Sequence, residues 1–485
     1  MATARVIIKD EVNCKIEGLD LDTRKELVKK FKYFDQKARY MPAYRLGRWD
    51  GCTTFFGLGG TTYVSLLDRV LPLLESWGYY IEVEDERVSE PLAFTKIAED
   101  FWGDRCWPEG HRFAGEPIRL RDDQVHVVNS FLENPQALQE VATGAGKTIM
   151  TATLSKICEK YGRTITIVPN KSLVEQTEED FVNVGLDVGV YYGDRKDLGK
   201  THTICTWQSL NILDKKTKNG EAALVTLAEF LEGVSCIIID EVHQAKADVL
   251  KNLLTQNLRN APIRWGLTGT VPKDTLEFEN IRCSLGNVIN RVSAYDLQQK
   301  GVLSTCHVNI VQTQEYKEFG SYPEELKYLV TDEDRMSWFA KMIKGISDTG
   351  NTLVLVDRIE SGKFLQNEIP DSVFISGAVK TTDRKEEYNE IAISDNNVIV
   401  ATYGVAAVGI NIPRIFNLVL LEPGKSFVRV IQSIGRGIRR AEDKDFVNIF
   451  DITSTCKYSK RHLAERKRFY KDAKYPFTIE KIKKQ

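Results

Sequence analysis

The amino-acid sequence predicts an α/β protein in which a small α+β module precedes two successive parallel-sheet lobes. From about residue 118, apolar strand-like runs alternate with helix-like segments, and the same rhythm restarts after Gly301. Such alternation is typical of a parallel sheet with helices on both faces. A glycine-rich loop occurs in the first lobe and has no counterpart in the second. Two sheets that share one such loop indicate a cleft between the lobes.

Residues 1 to about 105 are predicted to form the α+β module. Alternating apolar residues around Val6 and Cys14 indicate a first hairpin, and residues 45–51 have the composition of a turn between extended segments. Apolar residues at helical spacing predict two helices, and a Pro- and Gly-containing stretch predicts a linker. The two predicted helices and the predicted linker are residues 23–34, 66–77 and 103–117.

The two lobes are predicted to span residues 118–299 and 300–455, followed by a basic C-terminal extension over residues 456–485. Strands are expected where a short run rich in β-branched residues is bounded by turn residues. The predicted strands are residues 164–168, 203–205, 236–239 and 265–267 in the first lobe and residues 352–356, 373–375, 397–400, 418–420 and 447–449 in the second.

The composition is that of a globular protein in water, with 42% hydrophobic and 28% charged residues and a net charge of −2. No apolar run approaches the roughly 20 residues that span a bilayer, and the N-terminus lacks the apolar core of a signal peptide. The nine cysteines include no Cys-x-x-Cys pair. We therefore expect reduced cysteines, no zinc and a cytoplasmic protein, in the host cytoplasm if a phage encodes it.

The last residues of the chain are strongly basic. From residue 457 onward there are eleven Lys or Arg and three Asp or Glu, a local charge of +8, with aromatic residues between the basic ones. A run of this kind is either a solvated helix packed on the body of the protein or a contact to the backbone of a nucleic acid. The sequence leaves both interpretations open.

The glycine-rich loop reads Val-Ala-Thr-Gly-Ala-Gly-Lys-Thr over residues 141–148. Gly144 and Gly146 allow a tight turn that aims backbone N–H groups at phosphates, and the helix that follows adds positive charge. Lys147 is expected to reach the β- and γ-phosphates of ATP, and Thr148 to ligate Mg²⁺. Val141 stands where the usual pattern has a first glycine, so an ordinary glycine-rich turn is the alternative. The predicted nucleotide-binding residues of this loop are Thr143, Gly144, Ala145, Gly146, Lys147 and Thr148.

A second constellation follows at the end of an apolar run, where Asp240 and Glu241 succeed residues 234–239. A buried parallel strand delivers such acids to its C-terminal end, where ligands bind in open α/β sheets. We expect Asp240 to hold Mg²⁺ through water and Glu241 to accept a proton from the attacking water. The alternative, a buried strand followed by a solvated acidic turn, is weakened by Lys147 earlier in the chain.

A third constellation closes the second lobe, where Gln432, Arg436 and Arg439 follow a strand at a spacing that places them on one side of a short helix. Arg436 and Arg439 are expected to reach the γ-phosphate as arginine fingers. A basic surface helix is the alternative.

With these residues in place, residues 118–455 resemble the superfamily 2 helicases and DNA translocases. The resemblance implies two tandem RecA-like lobes, and it implies that Arg121 and Gln124 read adenine. It adds His243, the last residue of the acidic motif, to the catalytic set. The resemblance further implies nucleotide contacts from Gly409 and Asn411. The implied contacts to a nucleic-acid strand are Pro169, Asn170, Lys171, Thr206, Trp207, Gln208, Ser376, Gly377 and Thr402.

A narrower resemblance, to phage UvsW-type helicases, rests on the run from Tyr44 through Arg48, Trp49 and Gly51, and on the four residues that end at Gln208. It implies that the protein remodels branched DNA by fork regression, Holliday-junction branch migration, R-loop unwinding and annealing. Arg48 and Trp49 become candidate duplex contacts. Alternatively, Trp49 is a core aromatic residue that fixes a tight turn.

The leading functional hypothesis is an ATP- and Mg²⁺-dependent DNA translocase that acts on single-stranded, forked or four-way DNA, with replication or recombination proteins as further partners. An RNA helicase and the motor subunit of a nuclease or restriction complex are alternatives among enzymes. A non-catalytic nucleic-acid clamp is the alternative from another class, and Lys147, Asp240, Glu241 and Arg439 argue against it.

Overall fold

The computed structural model describes residues 2–88, 91–109, 111, 113–244, 247–272, 274–376, 395–406, 414–426, 430, 433–435 and 437–483. The chain forms two compact units. The first comprises Met1–Val141 and Lys147–Arg291, and the second comprises Ala142–Gly146 and Val292–Gln485. Among the helices described in these ranges, none combines the length and the apolar content needed to cross a bilayer.

The N-terminal region of the first unit is an α+β structure. A four-stranded sheet has the order β5-β2-β1-β6, in which β1 and β2 form the predicted hairpin with Val6 opposite Ile16, and β6 runs parallel to β1. A separate two-stranded sheet joins β3 and β4. The elements are β1 Ala2–Ile8, β2 Asn13–Glu17, α1 Leu21–Lys30, β3 Lys32–Phe34, α2 Pro42–Arg45, β4 Cys52–Thr54, β5 Thr61–Tyr63, α3 Leu67–Ser76 and β6 Tyr79–Asp85.

Helix α1 ends earlier than its helical periodicity predicts. It stops at Lys30, and Lys32–Phe34 instead forms strand β3, which pairs with Cys52–Thr54. A pairing partner twenty residues away cannot be read from a local pattern, so the tertiary contact overrides the helical spacing.

The first large sheet has eight strands in the order β10-β9-β11-β8-β12-β13-β7-β14. The central pairs from β9 to β7 are parallel, as the alternation of strands and helices predicts. Its strands are β7 Gln136–Val141, β8 Arg163–Val168, β9 Val188–Tyr192, β10 Arg195–Lys196, β11 His202–Thr206, β12 Val234–Asp240, β13 Ile263–Thr268 and β14 Val288–Val292. The helices of this region are α4 Asp122–Leu132, α5 Lys147–Cys158, α6 Lys171–Asn183, α7 Trp207–Asn219, α8 Leu227–Leu231, α9 Ala247–Asn252 and α10 Thr275–Leu285.

The N-terminal α+β region shares a core with helix α10 of the first large sheet. Leu276 and Cys283 of α10 belong to the same cluster of buried apolar residues as the N-terminal aromatic side chains. Around this cluster, Arg69 pairs with Glu279 at 2.6 Å and Asp68 pairs with a helix α10 arginine at 2.8 Å. The α+β region is therefore packed on the sheet region through one continuous interface rather than tethered by a linker alone.

The segment that precedes Ile118 also packs on the first large sheet. The indole Nε1 of Trp102 donates a hydrogen bond to Thr153 Oγ1 on α5 at 3.2 Å, and the N–H of Ile97 donates to Asn129 on α4 at 2.8 Å. Trp102 is 5% exposed and lies in one apolar cluster with Ile118. The described segment before Ile118 is thus part of the packing around α5.

The second unit contains a seven-stranded sheet in the order β17-β18-β16-β19-β20-β15-β21, and its neighbouring strands are parallel. Its strands are β15 Thr305–Thr313, β16 Thr352–Val356, β17 Val373–Ile375, β18 Val398–Thr402, β19 Asn417–Leu421, β20 Phe446–Ser454 and β21 Phe477–Ile482. Its helices are α11 Ala294–Gln299, α12 Tyr322–Thr331, α13 Glu333–Ser347, α14 Ile359–Glu368, α15 Tyr403–Ala406 and α16 Lys457–Asp472.

The basic C-terminal segment belongs to this second sheet. Helix α16 follows β20 directly, and β21 returns to pair in parallel with β15 at the edge of the sheet. Two parallel-sheet lobes preceded by an α+β region confirm the predicted fold class.

Candidate nucleotide-binding site

The glycine-rich loop joins the end of β7 to the start of α5. Gly144 and Gly146 have φ angles of 89° and 79°, a left-handed conformation that residues with a side chain rarely adopt. Helix α5 begins at Lys147, so its N-terminal N–H groups and the positive end of its dipole lie beside the loop. A tight loop of this kind before a helix is the geometry that cradles phosphates.

Lys147 is buried at the base of this loop and touches the acidic motif. Its Nζ lies 2.8 Å from Glu241 Oε1, and the two side chains are 8% and 12% exposed. The same ammonium also donates to the backbone oxygen of Val141 at 3.4 Å. Thr148 follows in the first turn of α5 and is half-buried. The structure therefore brings together Lys147 and the acidic strand end, which are far apart in the sequence.

Asp240 and Glu241 stand at the C-terminal end of the buried strand β12, as predicted. Glu241 has a φ of 51°, and its N–H donates to Asp240 Oδ1 at 2.9 Å. Burial and the neighbouring charge of Glu241 raise the pKa of Asp240. Burial alone would also raise the pKa of Glu241, but the charge of Lys147 and its hydrogen bond outweigh it and lower that pKa. Glu241 is thus held as the carboxylate.

His243 connects Glu241 to the strand end of β13. Its Nδ1 lies 2.6 Å from Thr268 Oγ1 and 3.5 Å from Glu241 Oε2. The Thr268 hydroxyl gives its one proton to the carbonyl of Thr270 at 2.8 Å, so Nδ1 of His243 must be the donor to Thr268. Burial lowers the pKa of His243, which favours the neutral ring. Gly269 completes the link by donating its N–H to Glu241 at 3.3 Å.

These residues fit a nucleotide with Mg²⁺. Thr148 and Asp240 offer hydroxyl and carboxylate oxygens, which are the ligands that Mg²⁺ prefers. Among the residues that the structure describes, no group of three or more His, Cys, Asp or Glu could hold a metal ion. A magnesium ion here would therefore depend on phosphate oxygens as well, which is how this ion is usually held in nucleotide sites.

The predicted adenine-reading residues form the N-terminus of α4. Gln124 is 3% exposed, and its Oε1 accepts the backbone N–H of Arg121 at 3.0 Å as part of a capping box. The guanidinium of Arg121 binds Asp123 at 2.9 Å and 3.0 Å. Asp123 therefore orients Arg121, while Gln124 stabilises the turn that carries it.

Two of the predicted strand-contacting loops lie side by side. Asn170 caps α6 by accepting from Leu173 N at 3.1 Å, and Thr206 caps α7 by accepting from Ser209 N at 3.2 Å. Their strands β8 and β11 are neighbours in the sheet, and Gln208 Nε2 donates to the carbonyl of Pro169 at 2.8 Å. The remaining predicted contacts of these loops are the 65%-exposed Lys171 and the half-buried Trp207.

In the second unit, Ser376 directly follows β17 and Thr402 ends the paired strand β18, so both stand at one edge of the sheet. Arg439 follows the helical residues 433–435 and 437, and its backbone pairs with that of Leu303. Five predicted site residues lie outside the described part of the chain: Gly377, Gly409, Asn411, Gln432 and Arg436.

The glycine-rich residues assigned to the second unit lie close to this segment. A Cβ atom placed on Gly435 would come 2.9 Å from Thr143 Cβ, and one on Gly144 would come 2.7 Å from Leu303 Cδ2 and 3.8 Å from Arg439 Cγ. Any residue other than glycine at either position would displace a neighbouring atom. Residues 143 and 144 therefore approach residues 435 and 303 closely.

Lys444 contacts the segment that carries Arg439, and the sequence reasoning did not single it out. It is 3% exposed, and its Nζ donates to the carbonyls of Gly437 and Arg439 at 2.6 Å and 2.7 Å. Burial, and then the charge of Arg439, lower the pKa of Lys444 to about 7. In the sequence this lysine stands among alternating acidic and basic residues that read as an exposed turn, so no local pattern marks it.

In the α+β region, Trp49 is half-buried and its Nε1 donates to the carbonyl of Cys52 at 2.9 Å. Arg48 next to it is exposed. Around them, Tyr40 is 77% exposed and Leu46 is 65% exposed. The hydrogen bond from the indole of Trp49 agrees with a role of this residue in fixing the turn. The exposed Arg48, Tyr40 and Leu46 are accessible to a ligand.

Comparison with known proteins places these features in context. Residues 117–273 match the family model described as type III restriction enzyme, res subunit, and residues 334–441 match the helicase conserved C-terminal domain. The chain is 23% identical over 453 residues to the ATP-dependent DNA helicase UvsW of Enterobacteria phage T4, covering 89% of this chain and 87% of that protein.

Two further similarities are more partial. The DNA 3'-5' translocase XPB2 of Sulfurisphaera tokodaii is 25% identical over 226 residues, which are 46% of this chain and 44% of that protein. The solved structure of the ATP-dependent type ISP restriction-modification enzyme LlaBIII bound to DNA has a TM-score of 0.56 at 16% identity. That match covers 83% of this chain and 33% of the enzyme, and it supports the fold alone.

Proposed function

The chain belongs to the superfamily 2 helicases and resembles UvsW, and from this premise we propose that it is an ATP-driven DNA translocase that remodels branched DNA. The two family matches and the similarity to an ATP-dependent DNA helicase support ATP hydrolysis and helicase activity. The observation that carries the proposed ATP-hydrolysis mechanism is the buried contact between Lys147 and Glu241, at 2.8 Å, at the base of the glycine-rich loop.

This contact suggests how nucleotide binding prepares the base. The β- and γ-phosphates of ATP attract Lys147 more strongly than one carboxylate does, so they take over its ammonium group. Glu241 then loses its cation partner and becomes available to accept a proton from water, while His243 and Gly269 keep it in position. Mg²⁺, held by Thr148 and Asp240 with the phosphates, would offset the phosphate charge.

Arg439 and Arg436 are proposed as the cations that stabilise the transferred phosphoryl group. Thr143, Gly144, Ala145 and Gly146 are proposed to supply backbone N–H groups to the phosphates, and Arg121 and Gln124 to contact the base. Gly409 and Asn411 are also proposed to contact the nucleotide.

Movement along DNA is proposed to use contacts to phosphates. In the first lobe the linked loops of Asn170 and Gln208 present backbone N–H groups and Lys171, and in the second lobe Ser376 and Thr402 stand at strand ends. Gly377 is proposed to contact the strand as well. Phosphate contacts position a protein without reading sequence, so binding should be largely independent of sequence and sensitive to salt.

Action on branched DNA is proposed from the exposed loop of the α+β region. Arg48 stands beside Trp49, with Tyr40 and Leu46 exposed nearby. Cations supply the phosphate attraction, and exposed aromatic and aliphatic side chains can pack against a base pair at a branch. Fork regression, branch migration, R-loop unwinding and annealing are the reactions that this arrangement would serve.

The test compares ATP turnover and unwinding on single strands, blunt duplex, forks, four-way junctions and RNA–DNA hybrids. We expect forks and junctions to give the highest turnover. We expect Glu241→Gln to abolish turnover while ATP stays bound, and Lys147→Ala to weaken ATP binding. Glu178→Gln, the same chemical change at an ion pair with Arg195, is the matched control. Normal turnover by Glu241→Gln would contradict the assignment of the base, and equal turnover on all substrates would contradict the preference for branches.

A further inference from the structure

Helix α16 presents a continuous basic surface. Its side chains Lys457, Lys460, Arg461, Arg468 and Lys471 are exposed, and the exposed Ala464 lies among them. At about 100° per residue these positions fall within an arc of roughly 100° around the helix axis. From Lys457 to Lys471 the surface is about 21 Å long, since a helix rises about 1.5 Å per residue. We refer to these six residues as the outer face of α16.

The opposite side of α16 is fixed to the second sheet. Arg466 is 1% exposed and binds both oxygens of the buried Asp451 at 2.8 Å. Tyr470 also donates to Asp451, at 2.7 Å, and the first turn of the helix donates the N–H groups of Tyr458 and Ser459 to the carboxylate of Glu325. The basic side chains therefore project from a rigid support, so little backbone entropy is lost when they bind a ligand.

The charge of the outer face is scarcely neutralised by its neighbours. Among the described residues of α16, the acidic ones are Glu465, which pairs with Arg468 at 3.2 Å, and Asp472. A net positive surface on a chain with a net charge of −2 is not explained by solubility. It indicates a polyanionic ligand.

The position of the aromatic residues narrows the ligand further. Phe469 and Tyr470 are buried, and Tyr458 donates its hydroxyl to the carbonyl of Gly320 at 2.9 Å. The half-buried ring of Tyr458 is covered by Lys457 and Arg461, which lie 5.7 Å and 5.9 Å from its centroid. The outer face therefore offers mainly cations, whereas proteins that hold single strands usually stack bases on uncovered aromatic rings. A straight row of cations about 21 Å long suits a duplex, which carries about one negative charge per 1.7 Å of its axis.

We propose that the outer face of α16 binds the phosphodiester backbone of duplex DNA, as a contact separate from the helicase motifs. This inference rests on the proposed function, because it supplies the DNA translocase with a grip on the duplex arm of a branch. The contact is to phosphates, so it carries no sequence preference and increases the salt dependence of binding.

The test measures binding of a fluorescent blunt duplex to the full-length protein over a range of salt concentrations. In Lys460→Glu/Arg461→Glu/Arg468→Glu we expect the slope of log K against log salt to fall by about 2 to 3, since each lost phosphate contact removes about 0.9. The matched control is Lys341→Glu/Lys344→Glu/Lys363→Glu, which changes the net charge equally at exposed positions of α13 and α14. The control should keep the slope of the wild type. ATP turnover without DNA should be unchanged in both.

The outcomes separate this inference from the proposed function. Equal slopes for the α16 variant and the wild type would overturn the inference while leaving the translocase intact. A larger loss on a single strand than on the duplex would overturn the assignment to duplex DNA. Wild-type protein that shows no salt-dependent DNA binding and no stimulation of turnover would overturn both. A neutral variant, Lys460→Gln/Arg461→Gln/Arg468→Gln, provides a second reading if charge reversal perturbs folding.

Discussion

Glu422→Gln should remove a pH dependence of stability that the buried charges of the second unit create. Arg335 contacts Glu315 and lies 3.1 Å from Glu422, while Arg466 binds Asp451. Burial, opposed by the two arginines and reinforced by Asp451 and Glu325, raises the pKa of Glu422 from 4.5 to about 7. The cause is simple: four carboxyl groups, those of Glu315, Glu325, Glu422 and Asp451, share two guanidinium groups.

The sign and the size follow from the raised pKa. The folded protein keeps a proton on Glu422 that the unfolded chain releases near pH 4.5, so the stabilisation is full below that pH and is lost as pH rises through about 7. Between pH 5 and pH 8 the contribution of this one group changes by about 2 to 3 kcal/mol. A glutamine has the shape of the protonated acid and cannot ionise. From pH 5 to pH 8 the unfolding free energy of Glu422→Gln should therefore decline by about 2 to 3 kcal/mol less than that of the wild type.

Urea unfolding of both proteins at pH 5, 6, 7 and 8 measures the effect, because the difference at each pH cancels the titration of all other groups. The exposed Glu333→Gln on α13 serves as the control and should run parallel to the wild type. Parallel plots of unfolding free energy against pH for the wild type and Glu422→Gln, between pH 5 and pH 8, would refute the idea that the folded protein holds a proton on Glu422.

The other predictions concern the nucleotide site and the domain boundary. Arg439→Ala should lower ATP turnover by about 10³-fold or more with a much smaller change in ATP affinity, and an unchanged rate would contradict the arginine-finger role. Lys444→Met leaves the carbonyls of Gly437 and Arg439 without its two hydrogen bonds, so it should lower the unfolding free energy by about 2 kcal/mol and lower turnover at least about tenfold; normal turnover in a destabilised protein would limit Lys444 to a structural role. Deletion of residues 1–105 should reduce the melting temperature more than deletion of residues 1–88, because only the longer cut removes Trp102 from α5, and equal melting temperatures would contradict this. In both truncated proteins ATP turnover should survive, while fork preference should be lost.

Much of the fold could be predicted because its determinants are local. The strands that the sequence predicts are short apolar runs, most of them rich in β-branched residues, and such runs are typical of parallel strands buried on both faces. Strands 352–356 and 373–375 occur over the predicted residues. Likewise, a glycine at a left-handed position and a carboxylate at a strand end can be recognised from a few adjacent letters, as at Gly146 and Asp240.

The features that escaped prediction depend on contacts between distant residues. Strand β21 pairs with β15 although it carries the charges of a solvated tail, and β3 forms only because Cys52–Thr54 lies opposite. Lys444 reads as a surface residue because its burial depends on how the chain around Gly437 and Arg439 folds over it. The charge of a short segment indicates how much free energy its burial costs. It does not indicate whether a residue distant in the sequence pairs with that charge and offsets the cost.

The ion pair between Lys147 and Glu241 is a feature of the site that the residue identities did not predict. Each side chain has a role that its sequence context suggests, one as a phosphate ligand and the other as a base. Their pairing at 2.8 Å adds that neither role is available while they bind each other. A carboxylate with a lowered pKa is a weak base, so the proposed hydrolysis requires that phosphates first remove Lys147 from it. Part of the ATP binding energy is then used to break a buried ion pair, which links occupation of the loop to release of the base. Glu241→Gln would weaken that pair as well as remove the base, and this is the reason to expect that it retains ATP at least as tightly as the wild type.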